Sequence, residues 1–63
     1  MNKVLWKILL NYQGEVHEFI RYAKDMNNAM NIGIRALEYK LCRRKGSLSS
    51  YFIDRNNIEA RQV

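Results

Sequence analysis

Apolar and polar residues alternate from position 3 to position 12. Val4, Trp6, Ile8, Leu10 and Tyr12 fall on one side, and Lys3, Leu5, Lys7, Leu9 and Asn11 on the other. A period of two is the repeat of a β-strand, so the pattern predicts a strand with one dry face and one mixed face. Tyr12-Gln13-Gly14 supplies turn chemistry, and Gly14 can take the left-handed position of a three-residue hairpin loop. Residues 15–22 then form the return strand. Such a loop pairs Leu10 with Val16 and Trp6 with Ile20, which brings Val16, Ile20 and Tyr22 to the dry face. His17, Phe19 and Arg21 join Leu5, Lys7 and Leu9 on the other. Glu18 does not suit a dry face. Either it lies at the sheet edge, or the loop differs by one residue and the return strand is flipped, because a one-residue slip exchanges the two faces.

The period then lengthens. Asp25 is a good N-cap, since its carboxylate can accept an orphan amide of the first helical turn. After it Met26, Ala29, Met30, Gly33, Leu37 and Leu41 recur every three or four residues, the stripe of an amphipathic helix. Ala29 and Gly33 are small enough to let that helix lie close to a sheet. Asn27, Asn28, Asn31, Arg35 and Glu38 make its polar side, and Gly46 is the expected stop residue. From Leu48 to Arg55 alternation resumes, with Tyr51, Ile53 and Arg55 against Phe52 and Asp54, which predicts a third strand. Asn56-Asn57 is turn-prone. Ile58–Val63 can continue that strand after a bulge, add a short fourth strand or trail as a tail. The expected fold is α+β: a three-stranded antiparallel sheet in β-β-α-β order, one helix packed on one face, and the third strand beside the first. The second face is then bare, carrying Lys3, Leu5, Lys7, Leu9, His17, Phe19, Arg21 and Phe52 or Tyr51.

Size and composition narrow the chemistry. Sixty-three residues, 48% of them apolar, make one small domain. A chain this short buries only about 60% of its unfolded surface, so a deep catalytic cleft would compete with the core. Cys42 is alone and cannot form an internal disulfide, which points to the cytosol. It reads as a small packing residue near the helix end. His17 and Cys42 are the only soft ligands, so no metal set is expected. His17 reads as a surface strand residue, and alternation separates it from Glu18, so no acid–base pair converges. No catalytic residue and no cofactor are expected. The early apolar run is broken by Lys7, and no stretch is long enough to span a membrane.

Charge changes the picture more. Eleven Lys and Arg against six Asp and Glu leave +5, which favours anionic partners. Arg43, Arg44 and Lys45 fall together where the helix is expected to end. There they can offset the helix dipole, or, with Arg35 and Lys40, grip phosphates.

The stretch "LWKILLNYQGEVHEFIRYAKDMNNAM" resembles the hairpin-then-helix of the small phage-encoded inhibitors of bacterial RNA polymerase of the T7-type kind. The likeness rests on Trp6, the hairpin length, Tyr22-Ala23, the cap at Asp25 and Ala29 four positions on. "YFIDR" extends it, with Arg55 where that family carries a polymerase-contacting arginine. The family's second such arginine falls at Asn57, and its acidic hairpin is replaced by Gln13-Gly14-Glu15. Some small anti-CRISPR proteins share the same plan. The resemblance implies a non-enzymatic inhibitor working in the host bacterial cytoplasm. It would block a nucleic-acid-handling machine, either RNA polymerase or a CRISPR effector.

Two functions are therefore expected to compete. One is an inhibitory module docking on a host protein or nucleoprotein complex through the bare face and a strand edge, with Lys7, His17, Phe19, Arg21 and Arg55 as contacts. The other is direct nucleic-acid binding by Arg35, Lys40, Arg43, Arg44 and Lys45, with Phe19 or Tyr51 stacking on bases. Homodimerisation through the bare face or an open edge is a third use of the same surface.

Overall fold

A computed structural model describes residues 3–63. Strand β1 (Val4–Tyr12) turns back into β2 (Glu15–Ala23), helix α1 (Met26–Lys40) follows, and β3 (Ile58–Gln62) closes the sheet. The strand order is β2-β1-β3, both pairings are antiparallel, and the architecture is the expected α+β layer of one helix on a three-stranded sheet.

The third strand is not where alternation put it. Residues 46–55 form a run of turns, tied by Ser49 N–H to the Gly46 carbonyl, Tyr51 to Leu48 and Arg55 to Phe52. Ile58–Gln62 is the third strand instead, pairing Leu10 with Ile58 and Trp6 with Gln62. The two apolar residues of the turn segment that matter, Leu48 and Phe52, both plug the core, and Phe52 is fully buried. Their spacing of four is the signal of a helical-type winding, which a period-two reading passes over.

The hairpin is one residue tighter than expected. Tyr12 pairs with Glu15 around a two-residue turn, Gln13 (φ 53°) and Gly14 (φ 83°). Positive φ at both central residues is the type I′ signature, whose twist matches that of the flanking strands. The register is consequently Leu10 with His17, Ile8 with Phe19 and Trp6 with Arg21. The return strand is flipped. His17, Phe19 and Ala23 lie on the helix-covered face, and Val16, Glu18, Ile20 and Tyr22 on the bare one. Glu18, the misfit of the sequence pattern, is thereby placed in solvent.

Asp25 caps the helix as its sequence position predicts. Its Oδ1 accepts Asn28 N–H at 2.8 Å, and Asn28 Oδ1 reaches back to accept Lys24 N–H, one residue before the cap, at 3.3 Å. The C-terminus comes earlier than Gly46. Arg43 N–H returns to the Glu38 carbonyl (2.8 Å) and Cys42 N–H to Tyr39 (3.1 Å), the two bonds of a Schellman turn. Cys42 holds the left-handed position at φ 56° and is exposed, so it is a terminator rather than a packing residue.

The core forms where α1 meets β1. Trp6, Ile8, Leu10 and Tyr12 face Ala29, Gly33, Ile34 and Leu37, with Leu48, Phe52, Ile58 and Ala60 filling the flanks. Gly33 sits over Ile8 so closely that a Cβ there would overlap Ile8 Cγ2. Trp6 is buried with its indole N–H donating to the Ala23 carbonyl at 3.2 Å, so its one polar atom is satisfied.

Candidate interaction surfaces

Three regions hold the side chains that chemistry would use. The first is the sheet face away from the helix. Register puts Leu5 opposite Tyr22, Lys7 between Ile20 and Arg61, and Leu9 between Glu18 and Glu59. Val16 is 66% exposed, Tyr22 63% and Ile20 46%, while Leu5 and Leu9 are half-buried. Arg61 pairs with Glu59. Of the residues expected on this face, Lys3 lies before β1; Leu5, Lys7 and Leu9 are on it. Phe52 is in the core, and Tyr51 stacks edge-on against Tyr12 and Phe52 at 4.7 and 5.0 Å, its hydroxyl accepting Gln13 N–H.

The second region gathers His17, Phe19, Arg21 and Lys40 at the β2 edge beneath the helix. His17 is buried, against the expectation of a surface residue. Its Nδ1 lies 3.1 Å from Lys40 Nζ, and its Nε2 lies 4.0 Å from Glu15 Oε1. An ammonium has only protons to give, so Nδ1 accepts and the ring proton is on Nε2, towards Glu15. The Phe19 ring lies between two cations, Arg21 Cζ at 5.4 Å and Lys40 Nζ at 5.8 Å, within cation–π range. Arg21 also donates to the Ile20 carbonyl at 2.9 Å. This cluster fastens strand to helix. It leaves Lys7 alone, on the bare face, among the residues expected to bind a partner together. Arg55, expected on a strand, occupies a left-handed turn (φ 63°), and its Nη2 reaches Asn27 Oδ1 at 3.5 Å. The strand correspondence that gave Arg55 its contacting role in the phage-inhibitor resemblance is therefore lost. Arg55 instead helps line a shallow groove of about 470 Å³ with Asn31, Ile34, Ser49 and Phe52.

The third region is the helix end. Glu38, expected on the polar side, is only 2% exposed. Its Oε1 accepts Gly46 N–H at 2.9 Å and its Oε2 accepts Leu48 N–H at 3.0 Å. One carboxylate thus folds the basic run back over the last turn of α1. The result is a hollow of about 260 Å³ lined by Arg35, Glu38, Tyr39, Arg43 and Lys45. Arg35, Arg43 and Lys45, three of the five residues expected to grip phosphate, meet here. Lys40 is turned to His17 and Phe19. Arg44 is exposed beside the hollow, with its carbonyl accepting Ser47 N–H. Tyr39, 88% exposed, was not among the expected residues, although its place one turn after Arg35 puts the two on one helix face.

Among the described residues Arg61–Glu59 is an ion pair and the His17 ring is the basic group near Glu15, so Arg35, Arg43, Arg44 and Lys45 face no carboxylate within 4 Å. Among the described residues no helix is long and apolar enough to cross a membrane. No family model matches the chain, and no curated protein or solved structure matches it either.

Proposed function

We propose that this chain is a non-enzymatic binding module that blocks a bacterial nucleic-acid-handling machine, docking on a protein component through its bare sheet face. One observation carries the reading: β2 turns Val16, Ile20 and Tyr22 to solvent, while Phe19 and Ala23 are the apolar side chains it gives the interior beside His17. Burial alone favours the opposite choice, since each of those side chains would gain about 1.5–3 kcal/mol in a core. Aromatic and aliphatic anchors bordered by balanced charges, Lys7 and Arg61 against Glu18 and Glu59, are the composition of a contact surface.

The size of the face sets a condition. Three strands about 4.8 Å apart and up to ~30 Å long present on the order of 400 Å², about half of what one partner buries in a standard interface. The partner must also use an edge. Among the described strands β2 pairs with β1 alone, so its outer backbone groups, apart from the Ile20 carbonyl held by Arg21, are open to an added strand. The class of target comes from the resemblance of the hairpin and helix to phage inhibitors. Element order supports that resemblance, and Arg55 no longer does.

The test is direct titration of the purified chain against purified bacterial RNA polymerase and a purified CRISPR effector complex. Saturable binding to one of them, weakened at least tenfold by Ile20→Asp and by Tyr22→Asp, is expected. Binding that both substitutions leave unchanged, or no binding to either machine, would overturn the proposal. Both positions are exposed, so circular dichroism should show the two variants folded.

A further inference from the structure

We infer that the hollow at the end of α1 is a binding site for single-stranded nucleic acid, independent of the sheet face and able to act whether or not that face docks on a protein. The first support is charge. Between Arg35 and Lys45 there are five cations and one carboxylate, a net of +4 in a chain whose total is +5. The four that border the hollow or stand beside it, Arg35, Arg43, Arg44 and Lys45, have no carboxylate within 4 Å among the described residues. Like charges gathered without partners repel one another, and an incoming polyanion relieves that repulsion while releasing its own counterions.

Stabilising the helix does not account for the cluster. The helix ends at Lys40 with its cap at Leu41, and Lys40 is the basic residue of its last turn. Arg43, Arg44 and Lys45 follow the helix, and a C-terminal dipole equivalent to about half a charge does not call for three further cations. Glu38 takes one unit from the site's charge and leaves it strongly positive. Both its oxygens are committed to the amides of Gly46 and Leu48, and in that position it organises the wall on which Arg43 and Lys45 stand.

The second support is Tyr39. It is the most exposed large hydrophobic residue of the described chain, at 88%, and it lies in the same hollow as the cations. An aromatic ring beside a cationic groove is the pairing that holds single strands, because an unpaired base offers a face to stack on and its phosphates meet the cations. A duplex keeps its base faces covered, and an acidic peptide has none. The hollow, about 260 Å³, has room for a phosphate and part of its nucleoside.

Fluorescence anisotropy with a labelled twelve-nucleotide oligo(dT) or oligo(U) tests this, against a twelve-base-pair duplex and a polyglutamate peptide. Single strands should bind most tightly. With three or four phosphates contacted and a slope of about −0.7 each, affinity should fall about twenty- to fifty-fold between 50 and 200 mM salt. Arg43→Glu with Lys45→Glu should weaken binding at least tenfold and flatten that slope. Tyr39→Ala should weaken it about tenfold without changing the slope, since stacking releases no counterions. Ile20→Asp should leave it unchanged, which separates this site from the sheet face. The inference fails if oligonucleotides do not bind at 50 mM salt. It fails equally if the duplex or polyglutamate binds as well as the single strands, or if Tyr39→Ala has no effect on them.

Discussion

Gly33 is the residue on which the two layers turn. Its missing side chain is the space that Ile8 Cγ2 occupies. Alanine at this position would gain about 0.5–1 kcal/mol of helix propensity and lose more, because overpacking a well-filled core costs about 1–3 kcal/mol. Gly33→Ala should therefore lower stability by about 1–2 kcal/mol, seen as a smaller urea midpoint at unchanged m-value. Ile8→Ala removes the offending methyl, so the double variant should lose less than the two single changes added together. Simple additivity would mean that Gly33 is there for some other reason. That a small residue would bring the helix close was readable from Ala29 and Gly33 at helical spacing. That Ile34 and Glu38 also turn inward was not, since Glu38 is polar by type and is buried for the amides it holds rather than for its own stem.

At the scale of elements, the segment from Leu41 to Asn57 depends on that carboxylate. Charged hydrogen bonds to Gly46 and to buried Leu48 are worth about 1.5–3 kcal/mol each, and a buried amide left without a partner is destabilising. Glu38→Ala should cost about 3 kcal/mol, and amide exchange should quicken first at Gly46, Leu48 and Phe52 while the β1–β2 ladder stays protected. Equal acceleration everywhere would show that the clamp has no local role. Elements differed in how much of themselves they disclosed. β1, the bounds of β2, and α1 with its Asp25 cap follow from periodicity and capping chemistry, because both are local. The facing of β2 depends on one residue of turn length, and Gln13-Gly14 is a weaker type I′ signal than Asn-Gly. A three-residue loop puts Val16, Ile20 and Tyr22 on the dry face, and the misfit of Glu18 is what pointed to the flip that the register shows. The third strand was misplaced because "YFID" has strong strand propensity, while "IEARQ" gains its conformation from pairing with β1, a non-local cause.

For the whole molecule, layering separates two kinds of surface. The sheet carries its exposed apolar side chains on one side, and the helix layer carries the cluster of Arg35, Arg43 and Lys45 on the other. A partner on the first does not obstruct a polyanion on the second. Of the expected contact residues, Lys7 remains on the first surface and Arg35, Arg43 and Lys45 on the second, while His17, Phe19 and Lys40 form the join between strand and helix and Arg21 lies exposed along β2. Residue types were enough to nominate side chains. Only the flipped strand and the early helix stop decide which of them share a surface.

The central position of β1 also fixes an order of events in time. Its ladder to β2 can grow outward from the turn at Gln13-Gly14, whereas its ladder to β3 must first bring Leu10 to Ile58 across the helix and the long connection. Contacts between distant parts of a chain bear their loop-closure entropy before they return anything, so the hairpin and helix should assemble in the rate-limiting ensemble and β3 should dock afterwards. In stopped-flow chevrons, Ala60→Gly should then act mainly by hastening unfolding, with a φ-value below about 0.3, whereas Gly14→Ala should slow refolding. The reverse assignment would mean that this sheet nucleates from its far side.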